Sequence, residues 1–201
     1  MAERVVAGLG LRDPRVARAL AAVPRHLFLD EALRARAYAD EALPIGYGQT
    51  LTRLSTVARM AEALELRPGD RVLEVGTGSG YTAAVLARLA AEVYSVERIP
   101  ALALRARQRL HRLGAYHVHV RTGDGAEGWP EAAPFSAVLV TAAAREVPPR
   151  LLEQVAPEGR LVLPVAEGAS QVLRRLVRGA EGEWTEEVLE SCRFVPLVLA
   201  G

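Results

Sequence analysis

Three acidic residues stand where predicted strands end, and a glycine-rich turn follows the first of them. Glu74 lies near the end of the apolar run RVLEVG, Glu97 ends VYSVE, and Asp124 follows HVHVRTG. Because the carboxyl ends of parallel strands meet at one edge of a sheet, where ligands bind, we expect these three carboxylates to lie close together. Such a group suits a ligand that carries hydrogen-bond donors or positive charge.

The turn after the first of these strands has the spacing G-x-G-x-G. The dinucleotide-binding fingerprint is G-x-G-x-x-G, and Tyr81 stands where that pattern has its last glycine. Glycines let the backbone turn sharply and approach a ligand closely. A carboxylate at Glu74 would repel a phosphate but would suit an ammonium group. The predicted ligand-binding residues of this turn are Gly76, Thr77, Gly78, Ser79 and Gly80.

The acids and the turn together favour a nucleoside with an amino-acid tail, S-adenosylmethionine, over a purely structural glycine turn. Glu74 would face the tail of this cofactor. Glu97 lies roughly 20 residues past the first glycine, where an acid meets a ribose diol, and Asp124 would accept from the adenine amino group. Their chain neighbours Arg98 and Gly125 are included in the predicted cofactor site.

The stretch GQTLTRLST, residues 48–56, concentrates hydroxyl side chains around one charged residue, Arg53. Two interpretations of these hydroxyls are open. Ser55 or Thr56 would be a good N-cap for the helical pattern VARMAEAL that follows. Alternatively, the hydroxyls hold a ligand or a substrate.

The elements that must position these residues change character at residue 67. Residues 1–66 read as helical, with Asp13-Pro14 as a helix start and a Gly- and Pro-rich loop at 38–50. Residues 67–166 alternate short apolar strands with helices, which predicts an α/β fold with a mainly parallel, Rossmann-like sheet covered by helices on both faces. Residues 167–201 predict an antiparallel edge hairpin made of SQVLRRLVRG and ESCRFVPLVLA. We expect one domain, with the N-terminal helical segment on the substrate side.

Composition narrows the function classes. Of the 201 residues, half are apolar, but none of the apolar runs approaches the roughly 18 residues of a transmembrane helix. The net charge of +1 gives little attraction to nucleic acid or to an anionic membrane. The four histidines show no metal-ligand spacing, and the single cysteine excludes an internal disulfide framework. We therefore expect a soluble, cytoplasmic monomer without a metal ion.

From about residue 14 to residue 197 the chain resembles the protein-L-isoaspartate O-methyltransferase family. The motifs that carry the resemblance are VPRHLF (23–28), AYADEALPIGYGQT (37–50), RPGDRVLEVGTGSGY (67–81), VYSVERI (93–99), GDGAEGWPE (123–131), APFSAVLVTAAA (133–144), VP (147–148), GRLVLPV (159–165) and RFVPL (193–197). LPIGYGQT and VPRH are far more specific than the glycine loop. The fold expected from the resemblance is that of class I S-adenosylmethionine-dependent methyltransferases.

The resemblance implies methyl transfer from S-adenosylmethionine to the free α-carboxylate of L-isoaspartyl residues in damaged proteins and peptides, which would be the partners. Thr52 falls where the family carries its active-site serine, so we expect it to be the catalytic hydroxyl. The expected substrate-binding residues are Thr50, Thr52, Ser55, Thr141 and Ala142.

The sequence departs from the family pattern in the hydroxyl stretch and at one strand start. Leu54 replaces a proline, Ser55 replaces a ring, and Ser136 stands where the family usually has Asp. The first two changes leave open a methyltransferase of the same fold that acts on a different carboxylate, a small molecule or RNA. A non-catalytic binding protein is disfavoured because all three cofactor acids are present.

Overall fold

The computed structural model describes residues 2–198, in which a seven-stranded sheet follows a helical N-terminal segment. The α-helices are α1 (Ala2–Ala7), α2 (Pro14–Ala22), α3 (Leu54–Ala63), α4 (Tyr81–Leu86), α5 (Pro100–Arg112) and α6 (Pro149–Glu153). The strands are β1 (Leu43–Gly46), β2 (Gln49–Leu51), β3 (Arg71–Val75), β4 (Glu92–Glu97), β5 (Val118–Thr122), β6 (Phe135–Val140), β7 (Val155–Glu167), β8 (Ser170–Arg178) and β9 (Trp184–Ser191). None of the helices in the described part of the chain is long and apolar enough to cross a bilayer.

The large sheet has the order β5-β4-β3-β6-β7-β8-β9 and is parallel except at its last two pairings. The chain moves outward from β3 to β5 and then returns to add β6 on the other side of β3. This reversal of strand order creates a crevice at the carboxyl ends of β3 and β6, which is the usual ligand position in such sheets. The predicted fold class is confirmed.

Both faces of the sheet are covered because its central strands are apolar on consecutive residues, which point to opposite faces. Ala137 and Leu139 belong to one core cluster, together with buried residues of α2, α3, α4 and α5. Val138 and Val140, their neighbours in β6, belong to the other cluster, with Leu151 of α6. The N-terminal helical segment therefore packs on the same core as α4 and α5.

The N-terminal segment contains less α-helix than its sequence predicts. The Asp13 side chain caps α2 as expected, by accepting from the Arg15 backbone N–H at 2.8 Å. The run HLFLDEALRARAY, however, forms two short 3₁₀ helices, Arg25–Phe28 and Glu31–Arg36, separated by an extended Asp30. The predicted loop at 38–50 contains the β1–β2 hairpin, whose tip is Tyr47.

The expected N-cap of the third helix is wrong. α3 already begins at Leu54, and its N-cap position is Arg53, which has no side-chain capping bond. The Asp40 carboxylate supplies the cap from outside, because its Oδ1 accepts from the Ser55 backbone N–H at 2.9 Å and its Oδ2 from the Ser55 hydroxyl at 2.7 Å. An anion at a helix N-terminus also interacts favourably with the helix dipole.

The last predicted strand is displaced. We expected ESCRFVPLVLA (190–200) to pair with β8, but the partner is β9 at Trp184–Ser191; residues 199 and 200 of this prediction lie outside the described chain. Glu186 and Glu187 of β9 form ion pairs with Arg174 and Arg175 of β8, so a charged strand suits this exposed sheet edge. The more apolar residues 192–198 instead leave the sheet and cross to the carboxyl ends of its strands.

Candidate functional site

A cavity of about 100 Å³ opens at the switch in strand order. Its walls come from six segments: the β1–β2 hairpin with Thr52, the glycine turn with the start of α4, the end of β4 and the residues that follow it, Gly125 after β5, the residues after β6, and the segment 195–198. The C-terminal wall is held by Ala143, whose backbone donates to the Val195 carbonyl at 2.8 Å and accepts from the Leu197 N–H at 2.7 Å.

Gly76 is the residue on which the glycine turn pivots. Its φ of +96° is a conformation that side chains rarely adopt, and a Cβ there would collide with Thr141 Oγ1. That hydroxyl donates to the Val75 and Gly76 carbonyls at 3.0 and 2.8 Å, and therefore joins the ends of β3 and β6. Thr141 and its neighbour Ala142, both predicted on the substrate side, lie in the cavity wall.

The other two glycines of the turn, Gly78 and Gly80, have different structural roles. Gly78, with φ of +53°, lies against Ile45 of the hairpin and in the cavity wall, as do Thr77 and Ser79. Gly80 does not line the cavity. A Cβ on it would lie 3.2 Å from Ala106 Cβ, so Gly80 serves the close packing of α4 on α5.

Glu97 is the only carboxylate among the described residues that line the cavity. Its Oε2 accepts from the Gly78 N–H at 2.8 Å and its Oε1 accepts from the Ile99 N–H at 2.9 Å. The carboxylate thus holds the glycine turn against the end of β4, and each oxygen keeps a free lone pair for a further donor. Arg98 also lies in the wall.

Glu74 does not line the cavity but lies beneath it, fully buried. Its Oε2 accepts from Ser95 Oγ at 2.5 Å, and Ser95 Oγ lies 2.5 Å from Thr77 Oγ1, which is in the cavity wall. Glu74 Oε1 has no hydrogen-bond partner among the described residues. Burial, together with the nearby Glu97 charge, raises the pKa of Glu74 to about 8, against the opposing effect of the Ser95 hydrogen bond. Glu74 therefore reaches the cavity through a chain of hydroxyls.

At the third predicted acidic position, Gly125 lines the cavity and Asp124 does not. Gly125 lies in the cavity wall, and a Cβ on it would collide with Val75 Cγ1. Asp124 is half-buried beside the wall, where its Oδ1 accepts from the Ala126 N–H at 2.9 Å and caps a short 3₁₀ helix. This contact orients the Asp124 side chain, and its role as acceptor for the adenine amino group stays a prediction.

The hydroxyl residues of the stretch 48–56 also differ in whether they line the cavity. Thr50 and Thr52 lie in the cavity wall, whereas Ser55 does not, because its hydroxyl is donated to Asp40. Leu54 is 1% exposed and packs in the core. The two departures from the family pattern in this stretch, Leu54 and Ser55, therefore leave the composition of the cavity wall unchanged.

Sequence reasoning missed several wall residues. Ile45, Tyr81 and Thr82 are in the wall, and so is the segment 195–198. The motifs LPIGYGQT and RFVPL mark the positions of Ile45 and of the C-terminal segment, but nothing in their composition indicates a cavity. In the described part of the chain, no three His, Cys, Asp or Glu side chains are grouped to hold a metal ion.

Comparisons with known proteins agree with this geometry. The family model described as protein-L-isoaspartate(D-aspartate) O-methyltransferase matches residues 5–200. A protein-L-isoaspartate O-methyltransferase of Anaeromyxobacter dehalogenans is 60% identical over 94% of this chain and 91% of its own length, and one of Magnetococcus marinus is 53% identical over 94% and 83%.

Solved structures give the same picture. A protein-L-isoaspartate O-methyltransferase superposes with a TM-score of 0.88 at 29% identity, and the match covers all of this chain and 66% of that one. A Plasmodium falciparum protein described as a putative enzyme of the same kind, in complex with S-adenosyl-L-homocysteine, has a TM-score of 0.84 at 23% identity, with 98% of each chain covered. The latter likeness supports the fold.

The burial of Glu74 predicts a pH-dependent penalty in the cofactor-free protein. Its pKa rises from an ordinary 4.5 to about 8 on folding. Below pH 4.5 the side chain is neutral in both states; between 4.5 and 8 only the unfolded chain releases the proton, so the free energy of unfolding falls as pH rises. Glu74→Gln cannot ionise. It should therefore gain stability relative to the wild type by a few kcal/mol between pH 4.5 and 8.5.

Urea unfolding at several pH values measures this gain, and Glu181→Gln, at an exposed residue, is the matched control. A stability difference for Glu74→Gln that does not change with pH would show that this carboxyl is ionised in the folded protein throughout the range.

Proposed function

Because this chain belongs to the protein-L-isoaspartate(D-aspartate) O-methyltransferase family, we propose that it methylates the α-carboxylate of L-isoaspartyl residues with S-adenosylmethionine as donor. The backbone nitrogen that follows then attacks the methyl ester and expels methanol, which gives a succinimide that water can open to a normal aspartyl residue. The observation that carries the proposal is that Thr52, at the family's serine position, shares one cavity with Glu97 and the glycine turn.

S-adenosylmethionine supplies an electrophilic methyl group on a sulfonium centre. Glu97 suits the ribose diol because it lies in the cavity wall. Each of its oxygens accepts from one backbone N–H group and keeps a lone pair for a diol hydroxyl. Gly125 lets the backbone after β5 pack directly against Val75 of β3 in the cavity wall. Glu74, neutral below about pH 8 in the cofactor-free protein, can release its proton beside a bound sulfonium or ammonium group and favour that positive charge through Ser95 and Thr77. We propose that Gly76, Thr77, Gly78, Ser79 and Arg98 complete the cofactor site, while Gly80 and Asp124 support it by packing and capping.

The acceptor needs no general base. A free α-carboxyl has an ordinary pKa of about 3.3–3.7 and is ionised near neutral pH. Apart from Glu97, the titratable side chains in the described cavity wall are Tyr81 and Arg98, and neither is a base at neutral pH. What the protein must contribute is alignment of the carboxylate with the methyl group, a contribution that can reach several kcal/mol.

Thr52 is the proposed hydroxyl for this alignment. Its Oγ1 can donate to a carboxylate oxygen, and a hydrogen bond to a charged acceptor is worth roughly 1.5–3 kcal/mol. Thr50, Thr141 and Ala142 are proposed to contact the peptide around it. Ser55 acts indirectly, through the Asp40 interaction that fixes the start of α3.

We also propose that the protein is a cytoplasmic, metal-independent monomer built as one domain, without a nucleic-acid or membrane partner. These proposals come from the sequence; the near-zero net charge and the absence of a metal-ligand pattern among the histidines support them.

The proposed activity predicts selective labelling of one of two matched peptides. With labelled S-adenosylmethionine, a peptide containing one L-isoaspartyl residue should acquire base-labile label, and its twin with normal aspartate should not. Label on neither peptide, with the cofactor still bound, would overturn the proposed acceptor; label on both would remove the selectivity.

Thr52→Ala should lower kcat/KM for the isoaspartyl peptide by roughly tenfold to a hundredfold, because the carboxylate loses a hydrogen bond. The dissociation constant for S-adenosylhomocysteine, measured by calorimetry, should stay within about twofold, since no cofactor role is assigned to this hydroxyl. Thr52→Ser is the matched control and should retain activity. Equal losses of cofactor binding and methyl transfer in Thr52→Ala would contradict the assigned role.

Glu97→Gln should weaken cofactor binding by at least about tenfold. The amide retains the shape of the carboxylate but loses its charge and one of its two acceptor oxygens. The Gly78 and Ile99 N–H groups and the ribose diol would then compete for the one remaining oxygen. Calorimetry with S-adenosylhomocysteine measures the effect, and Glu127→Gln, an exposed residue outside the cavity wall, is the control. An unchanged dissociation constant would exclude Glu97 from the cofactor site.

A further inference from the structure

Arg25 is a fully buried cation that is not among the site residues predicted from the sequence. It lies on the 3₁₀ helix Arg25–Phe28, with 0% of its surface exposed. Among residues 2–198 it makes no ion pair. Burying a charge without a partner is costly, so its surroundings must compensate for the lost water.

Three groups surround the guanidinium, and two of them belong to the cavity wall. Its Nη2 donates to the Thr52 carbonyl at 2.6 Å, and its Nε donates to the Ala37 carbonyl at 2.7 Å. Its Cζ lies 4.8 Å from the centre of the Tyr81 ring. Thr52 and Tyr81 both line the cavity, so Arg25 stands one residue behind the wall.

The compensation is incomplete. The Tyr81 side chain interacts favourably with the guanidinium, yet Arg25 Nη1 and the Tyr81 hydroxyl make no well-formed hydrogen bond among the described residues. Asp40 is close enough to offset part of the charge but makes no direct ion pair with Arg25, because its oxygens accept from Ser55. Burial lowers the pKa of Arg25, yet a guanidinium stays protonated in proteins. Positive charge therefore remains behind the wall, where water screens it little.

We propose that Arg25 is a positioning residue for the anionic methyl acceptor. Its guanidinium fixes the Thr52 peptide group, and its unneutralised charge favours a carboxylate bound against Thr52 on the other side of the wall. Preorganised charge of this kind needs no rearrangement when the substrate arrives. The inference rests on the proposed function, since it concerns a carboxylate substrate at Thr52.

Two substitutions separate the charge from the geometry. Arg25→Met retains a long side chain for packing but removes both the charge and the planar guanidinium. Arg25→Lys keeps the charge but loses the planar guanidinium. The control is Arg34→Met, the same change at an exposed arginine of the neighbouring 3₁₀ helix. Steady-state kinetics with the isoaspartyl peptide, calorimetry with S-adenosylhomocysteine and thermal unfolding are measured for each variant.

Arg25→Met should raise KM for the peptide at least about tenfold, with the S-adenosylhomocysteine dissociation constant within about twofold of wild type. Arg25→Lys should recover part of this loss, and Arg34→Met should match wild type. Because the charge is buried, the KM ratio between Arg25→Met and wild type should persist in about 0.5 M salt, where interactions between exposed charges are largely screened.

An unchanged KM in Arg25→Met overturns the inference, and so do equal losses in peptide and cofactor binding, which would indicate a general structural role. If Arg25→Met does not fold, Arg25→Gln, which keeps a polar side chain with donors but removes the charge, decides: a wild-type KM overturns the inference, and a raised KM with normal cofactor binding supports it. Failure of the wild type to methylate the isoaspartyl peptide would overturn the proposed function itself, and the inference with it.

Discussion

The site depends on one steric constraint, the absence of a Cβ at Gly76. Only a residue without a side chain lets the Thr141 hydroxyl reach the Val75 and Gly76 carbonyls and join the ends of two parallel strands. The turn beyond Gly76 then presents its Gly78 N–H to Glu97. A larger residue would displace Thr141, separate the strand ends and shift every group that follows in the turn. The constraint is local, but it fixes the relative position of the cofactor side and the acceptor side.

Around that turn the buried ionisable groups are arranged in layers. Glu97 lies in the cavity wall, and Glu74, which is neutral below about pH 8 in the cofactor-free protein, lies beneath the glycine turn, so the acidic groups are on the cofactor side. Arg25 lies behind Thr52, so the acceptor side is basic. A cationic methyl donor and an anionic acceptor are thereby favoured on opposite sides of one small cavity. Each buried charge costs folding free energy when it is incompletely paired, and the two core clusters offset that cost.

Strand-end reasoning predicted which segments meet, because parallel strands bring their carboxyl ends to one edge whatever their side chains do. It therefore located Gly76, Glu97 and Thr141 at a common edge. It did not predict whether a side chain points into the cavity or away from it. Glu74 and Asp124 are near the edge yet outside the wall, because one side chain faces the core and the other caps a turn. Such orientations depend on tertiary packing that a single sequence does not display.

The structures of the N-terminal and C-terminal segments were harder to predict from the sequence for the same reason. Ser55 has the composition of an N-cap, but a distant carboxylate, Asp40, performs that function. Arg25 looked like an ordinary part of VPRHLF, because burial of an arginine leaves no periodic signal. β9 was missed since its glutamates read as a solvated loop until the arginines of β8 are placed opposite them. In each case a long-range contact overrides the local pattern.

The crossing of residues 192–198 over the sheet has a consequence for synthesis of the chain. Val195 and Leu197, which bond to Ala143 and close the cavity, leave the ribosome after every strand of the sheet. A ligand stabilises a folded state only once its site exists. The nascent sheet must therefore be held by its own packing, and the cofactor can add its full stabilisation only after residues 195–197 have emerged.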